Sequence, residues 1–184
     1  MEHGNTPLKN RKLSPNELAR GAVMSMDMLV TIAIVAVLAA AVFFLYRVVS
    51  SDVGATTVRA NAVTIETGVR GLVNHSRQYG NGSYLDSLRV KGKLPEQWYA
   101  CSGSTCEYFT DWGALAINGA GNTWTMQLND VPAEACISLV TQELFDRTQS
   151  VSINGTSYDG KLVDQSDAGS DCDNETNVLI WTQR

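Results

Sequence analysis

From Met28 to Tyr46 the sequence carries no charged residue, no Gly and no Pro, and nothing later in its 184 residues resembles that stretch. Wound as an α-helix it rises about 28 Å, close to the hydrocarbon thickness of a bilayer, before Arg47 brings charge back. One membrane span is the simplest reading. Before it, Lys9, Arg11, Lys12 and Arg20 outnumber Glu2 and Glu17, and a positive excess holds that end in the cytoplasm. Everything after the span is therefore expected outside. A cleaved secretory signal is the competing reading, but its apolar core runs to about 7 to 15 residues and ends at a small-residue cleavage site. This run is longer.

The helical pattern also continues past the span. Apolar residues recur at Val58, Ala62, Ile65, Val69, Leu72 and Tyr79, while Asp52, Arg59, Glu66, Arg70 and Arg77 fall off that stripe. Alternating spacings of four and three place one apolar face on a helix, so a single helix is expected from about Ser25 to Tyr79, stopped by Gly80-Asn81-Gly82. Gly54, Gly68 and Gly71 interrupt it. Each costs about 1 kcal/mol relative to Ala, which predicts a kink or frayed turn near Gly54. The alternative is an anchor joined to an independent helix.

Asp27 stands at the start of the apolar run. A carboxylate there is costly in the bilayer unless it is paired or at the interface, and at the interface the helix macrodipole favours it. Both readings stay open at this point.

The remaining chain has room for one modest domain. A formal charge of -5 and a pI near 5 argue against nucleic acid, which needs a basic face. No Gly-x-Ser-x-Gly elbow or phosphate-binding glycine loop is present, and His75 is the sole histidine after the span. Neither an enzyme nor a cofactor is implied, and no catalytic residue is assigned. Asp164, Asp167, Asp171, Asp173 and Glu175 cluster without the spacing of a calcium loop, which reads as a solvated acidic loop and not a metal site. Asn-x-Ser/Thr triplets at Asn74, Asn81, Asn154 and Asn174 read as chance. Cys101, Cys106, Cys136 and Cys172 all follow the span, which fits disulfides in an oxidising compartment better than a zinc site. Their pairing stays open among three connectivities.

Within this domain Leu115 and Ile117, the turn Gly119-Ala120-Gly121-Asn122, and Trp124, Met126 and Leu128 predict a hairpin with one buried face. Asp130 is expected to cap a following helix that has Pro132 in its first turn and Cys136, Leu139, Val140 and Leu144 along one stripe. Val151 to Ile153 followed by Asn154-Gly155 predicts a second hairpin. Val178 to Trp181 predicts a closing strand.

A basic leader ending in Arg20-Gly21, a short apolar lead-in, a carboxylate, an uncharged span and an amphipathic continuation together resemble the precursor signal of type IV pilins. The later chain resembles the type IVb pilins of the toxin-coregulated, bundle-forming and plasmid thin-pilus kinds (PilS-like). The residues carrying this are Gly80-Asn81-Gly82-Ser83-Tyr84, the stretch Leu88 to Pro95, and Met126 to Cys136 with its strand, short turn and cysteine-bearing helix. The resemblance implies an α+β type IV pilin fold: a long N-terminal helix packed on a small antiparallel head with disulfides.

It further implies cleavage between Gly21 and Ala22 by a prepilin peptidase. Asp27 then stands at the sixth mature position, where the family has Glu at the fifth, and serves as a filament-register residue. The cysteine at 136 is implied to bond Cys172, leaving Cys101 to Cys106 as a local ring. The implied division is a leader over 1–21, a helix over 22–79 with its span at 28–46, and a head over 80–184. The implied partners are further copies of the chain, the peptidase, the assembly platform and, before assembly, membrane lipid. The implied places are the bacterial inner membrane and then the extracellular pilus, used for adhesion, aggregation or conjugative mating. Two rival readings are a minor pilin or pseudopilin, slightly favoured by the displaced Asp27, and a single-span periplasmic binding or enzymatic domain.

Overall fold

The computed structural model describes residues 15–73, 78–160, 162–173 and 175–184, with side chains from residue 26 onward except 47–52. The expected leader residues 1–14 and His75 lie outside the described residues. The first helix, α1, is Pro15–Leu72. It begins earlier than the expected Ser25, because Pro is compatible with a first helical turn whose N–H groups are unpaired anyway. It also ends earlier than Tyr79, because Tyr79 is drawn into the sheet, where its N–H donates to the Gly121 carbonyl at 2.7 Å. The chain divides into two compact units, residues 1–46 and 47–184.

In the first unit every residue from Met26 to Tyr46 is exposed. The second unit holds the C-terminal part of α1 and the head. There α1 contributes Ala55, Val58, Ala62, Ile65 and Val69, each no more than 1% exposed, to one hydrophobic core. Their spacing of three and four is that of a single helix face. The helix runs unbroken through Gly54. A Cβ at that position would fall 2.5 Å from Cζ2 of Trp112, and one at Gly68 would fall 2.7 Å from Leu88 Cδ2. These glycines admit neighbouring side chains to the helix surface.

After α1 come the strand β1 (Gly80–Ser83), the short helix α2 (Leu85–Val90), and a single 3-10 turn (Glu96–Trp98). Next are β2 (Tyr99–Ser102), β3 (Thr105–Tyr108), β4 (Leu115–Gly121) and β5 (Thr123–Val131). The chain finishes with α3 (Ala133–Val140), β6 (Thr148–Ile153), β7 (Thr156–Asp159), α4 (Gln165–Asp171) and β8 (Asn177–Gln183). The main sheet has the order β1-β4-β5-β8-β6-β7, and β2 with β3 forms a separate ribbon. Every pairing is antiparallel.

Both expected hairpins are present. In the first, Leu115, Ile117, Trp124, Met126 and Leu128 are buried, and Gly121 takes a φ of +61° at its turn. In the second, Asn154 and Gly155 both have positive φ, which a tight two-residue hairpin turn requires. The last strand is inserted between β5 and β6, and its alternate residues Asn177, Leu179, Trp181 and Gln183 are buried.

Three expectations are corrected. Gly80-Asn81-Gly82 does more than stop a helix: with Ser83 it is the edge strand β1, paired from Gly80 opposite Gly121 to Ser83 opposite Asn118. Asp130 does not cap α3. It belongs to β5, with a φ of 56°, where the register with β8 shifts between Leu128 and Val131, so its backbone is spent on a bulge. The residue at the N-cap is Pro132, just ahead of the first turn. The acidic segment is also more ordered than a solvated loop, since Gln165–Asp171 is α4 with Ala168 buried beneath it.

Candidate functional site

The feature least compatible with water is the helix face of the first unit. Met26–Tyr46 is a 21-residue apolar stretch, none of it buried, and it is long enough to cross a membrane. Val35, Leu38, Ala39, Val42, Phe43 and Tyr46 line a shallow apolar groove along it. Their steps of three and four match the ridges by which one helix packs on another. At its N-terminal end Asp27 is exposed, and its backbone carbonyl accepts the Thr31 hydroxyl at 2.8 Å. The carboxylate itself is thus free of that bond. Gly21 and Ala22 lie within α1, with side chains outside the described residues.

In the head the disulfides join Cys101 to Cys106 and Cys136 to Cys172. The first links directly opposed residues of the β2–β3 ribbon. The second links two buried residues, one in α3 and one at the C-cap of α4. It closes a 36-residue loop holding the β6–β7 hairpin, so it fastens one whole edge of the sheet.

Several contacts that hold the head together gave little sign in the sequence. Arg59 reaches from α1 to α3 and donates to the Ser138 hydroxyl at 2.9 Å and to the Ser138 carbonyl. Arg70 pairs with Glu66 one turn away on α1. The Tyr108 hydroxyl donates to Asp86 Oδ1 at 2.5 Å and accepts from Arg89 Nε at 3.3 Å. Arg89 also lies 5.8 Å from the centre of the Tyr99 ring, within cation–π range. This cluster ties the β2–β3 ribbon to α2. Desolvation and then the Asp86 bond raise the Tyr108 pKa.

A second cluster joins β7 to α4. The Tyr158 hydroxyl donates to Asp171 Oδ2 at 2.6 Å. That bond, with lesser desolvation, pushes the phenol up to about 12, and it holds the Asp171 carboxyl below its ordinary value. Asp171 is therefore engaged in a structural bond and not offered to a cation. Among the described residues no group of three or more His, Cys, Asp or Glu side chains is arranged to hold a metal. Asn154 Nδ2 donates at 2.8 Å both to the Asp171 carbonyl and to Asn177 Oδ1, and Asn177 passes the chain on to the Val131 carbonyl at 3.1 Å. The Asn-Gly pair signalled the turn but not this network.

The architecture is thus an exposed apolar helical segment and a head of antiparallel sheet, one edge of which is stapled by a long-loop disulfide. A family model described as PilS N terminal matches residues 53–184. The chain belongs to that family.

No curated protein matches the chain. Among solved structures it is similar to the crystal structure of a type IVb pilin from Salmonella typhi, with 25% identity and a TM-score of 0.56, over 68% of this chain and 97% of that one. The chain is a PilS-like type IVb pilin. Its fold is the type IV pilin fold: long N-terminal helix, antiparallel head and two disulfides.

Proposed function

We propose that this pilin is made as a precursor in the bacterial inner membrane, cut by a prepilin peptidase between Gly21 and Ala22, and polymerised through its N-terminal helix into a surface pilus. The division is a leader over 1–21, a helix-bearing segment over 22–79 and a head over 80–184. The observation that carries the reading is the exposure of every residue from Met26 to Tyr46 in a chain of the pilin family. Such a surface is stable in lipid or against the same helix of neighbouring copies, and passage from one to the other is cheap because both surroundings are apolar.

In the filament, Asp27 offers its carboxylate to the N-terminal amine of a neighbour. A single charge pair per subunit in an apolar core marks register, because misplacing it leaves an uncompensated buried charge. Assembly then requires a platform in the inner membrane to extract each subunit. The end uses this supports are adhesion, aggregation or conjugative mating.

Shearing cells and comparing extracellular with membrane-bound subunit tests the reading. Wild-type chain is expected in the sheared fraction in shortened form, and Gly21→Phe is expected to remain full-length in the membrane. Shortening of Gly21→Phe at the same bond would remove the cleavage assignment.

A further inference from the structure

Outside α1, Val90 and Leu162 are the exposed large apolar side chains among the described residues, at 76% and 53%. Val90 ends α2, which follows the edge strand β1, and Leu162 follows the other edge strand, β7. With Leu72, Val90 lines a groove of about 300 Å³ whose rim includes Asp86, Ser87 and Lys91. Asp86 is occupied by the Tyr108 hydroxyl and by Arg89 at 3.5 Å. The other charged residue among the described ones lining the groove is Lys91, which is exposed, and Lys93, also exposed, lies two residues further along the chain.

Around Leu162 the sign is reversed. Asp159 and Asp164 flank Leu162 in the chain, and both are exposed. From Asp159 to Glu175 the sequence holds one base, Lys161, against all its carboxylates. Leu162 is also presented on a fixed backbone. Its neighbour Val163 is buried, with its N–H donating to the Val140 carbonyl at 3.0 Å, and Asp164 is the N-cap of α4.

We propose that Leu162 of one subunit seats in the Leu72–Val90 groove of the next, with Asp159 and Asp164 facing Lys91 and Lys93 across the joint. The occupant is a second copy because the groove's charge and the knob's charge are complementary within this one chain. A contact between two different patches is heterologous, and repeated without closing it generates an open filament and not a dimer. This inference rests on the polymerisation reading above and adds to it a head-to-head joint independent of the apolar helix.

The test is zero-length carbodiimide coupling of sheared wild-type filaments, which forms an amide between a Lys amine and a carboxylate activated by the reagent, with the reagent leaving as its urea. Peptides linking Lys91 or Lys93 to Asp159 or Asp164 are expected in filaments and absent from the unassembled membrane pool. Filaments that give no such link overturn the joint while leaving the polymerisation reading standing. Absence of any sheared filament from wild-type cells overturns both. As a second arm, Leu162→Lys brings a cation into the groove that Lys91 lines and is expected to cut the sheared fraction about tenfold or more. Leu162→Met keeps the apolar knob and is expected to leave it unchanged. Equal filament yields from Leu162→Lys and wild type overturn the joint.

Discussion

Gly54 and Trp112 are packed so closely that a Cβ added to the glycine would lie 2.5 Å from the indole Cζ2 and 2.8 Å from Cε2. The ring therefore sits directly on the backbone of α1. Adding a methyl group at Gly54 gains about 1 kcal/mol of helix propensity, but it forces an indole out of a packed position at about 1 to 3 kcal/mol. Gly54→Ala is expected to lower head stability by about 1 kcal/mol on balance. Gly71, with open space around its Cβ position, has only the propensity term, so Gly71→Ala is expected to stabilise by about 0.5 to 1 kcal/mol. Thermal unfolding of the detergent-solubilised chain, followed by tryptophan fluorescence, checks the opposite signs.

Cys136→Ser is expected to destabilise the head more than Cys101→Ser. The two bonds close loops of 36 and 5 residues, and the difference in denatured-state entropy is about 1 to 2 kcal/mol. A buried serine hydroxyl at 136 adds to the same side, since Cys136 is wholly buried and Cys101 is exposed. Chemical denaturation of the two variants gives the comparison, and equal midpoints would contradict it.

The parts of this fold legible in the sequence were those written in side-chain periodicity. Val58, Ala62, Ile65 and Val69 announced the buried face of α1, and Trp124, Met126 and Leu128 announced the inner face of β5. The strand β1 was not legible because Gly80-Asn81-Gly82-Ser83 has no alternation to read. Its place is decided by backbone bonding and by Gly119, where a side chain would meet the Tyr79 carbonyl and the Tyr84 ring. Asp130 misled because a capping residue and a bulge residue share the same chemistry, and only the positive φ separates them. The candidate site was legible as positions and not as geometry: the roles proposed for Gly21 and Asp27 involve a peptidase and other copies of the chain, which leave no periodic trace in one sequence.

The bond from Tyr158 to Asp171 predicts a signed pH dependence at the β7 edge. The Asp171 carboxyl is held below its ordinary value chiefly by that bond, so its contribution is present above the ordinary carboxylate range and is lost as pH falls through the lowered folded value. The phenol is raised from 10 to about 12, so its contribution is complete below pH 10 and is lost as pH rises toward about 12. Tyr158→Phe is expected to move the Asp171 titration upward, read by carboxyl-carbon NMR. An unchanged Asp171 titration in that variant would show that the bond does not set it.

Asp27→Asn separates a register role from a simple interfacial one. If the carboxylate only favours a helix N-terminus, its loss costs about 1 kcal/mol or less and filaments persist. A partner of the neighbour's amine loses a few kcal/mol at every subunit. The expected outcome is normal membrane insertion and cleavage, no extracellular filament from Asp27→Asn, and filaments retained by Asp27→Glu.

The intact mass of the subunit in sheared extracellular material tests the central claim most directly. The account predicts a single species that begins at Ala22 and contains both disulfides. A full-length chain found only in the membrane fraction, with nothing in the sheared material, would contradict it.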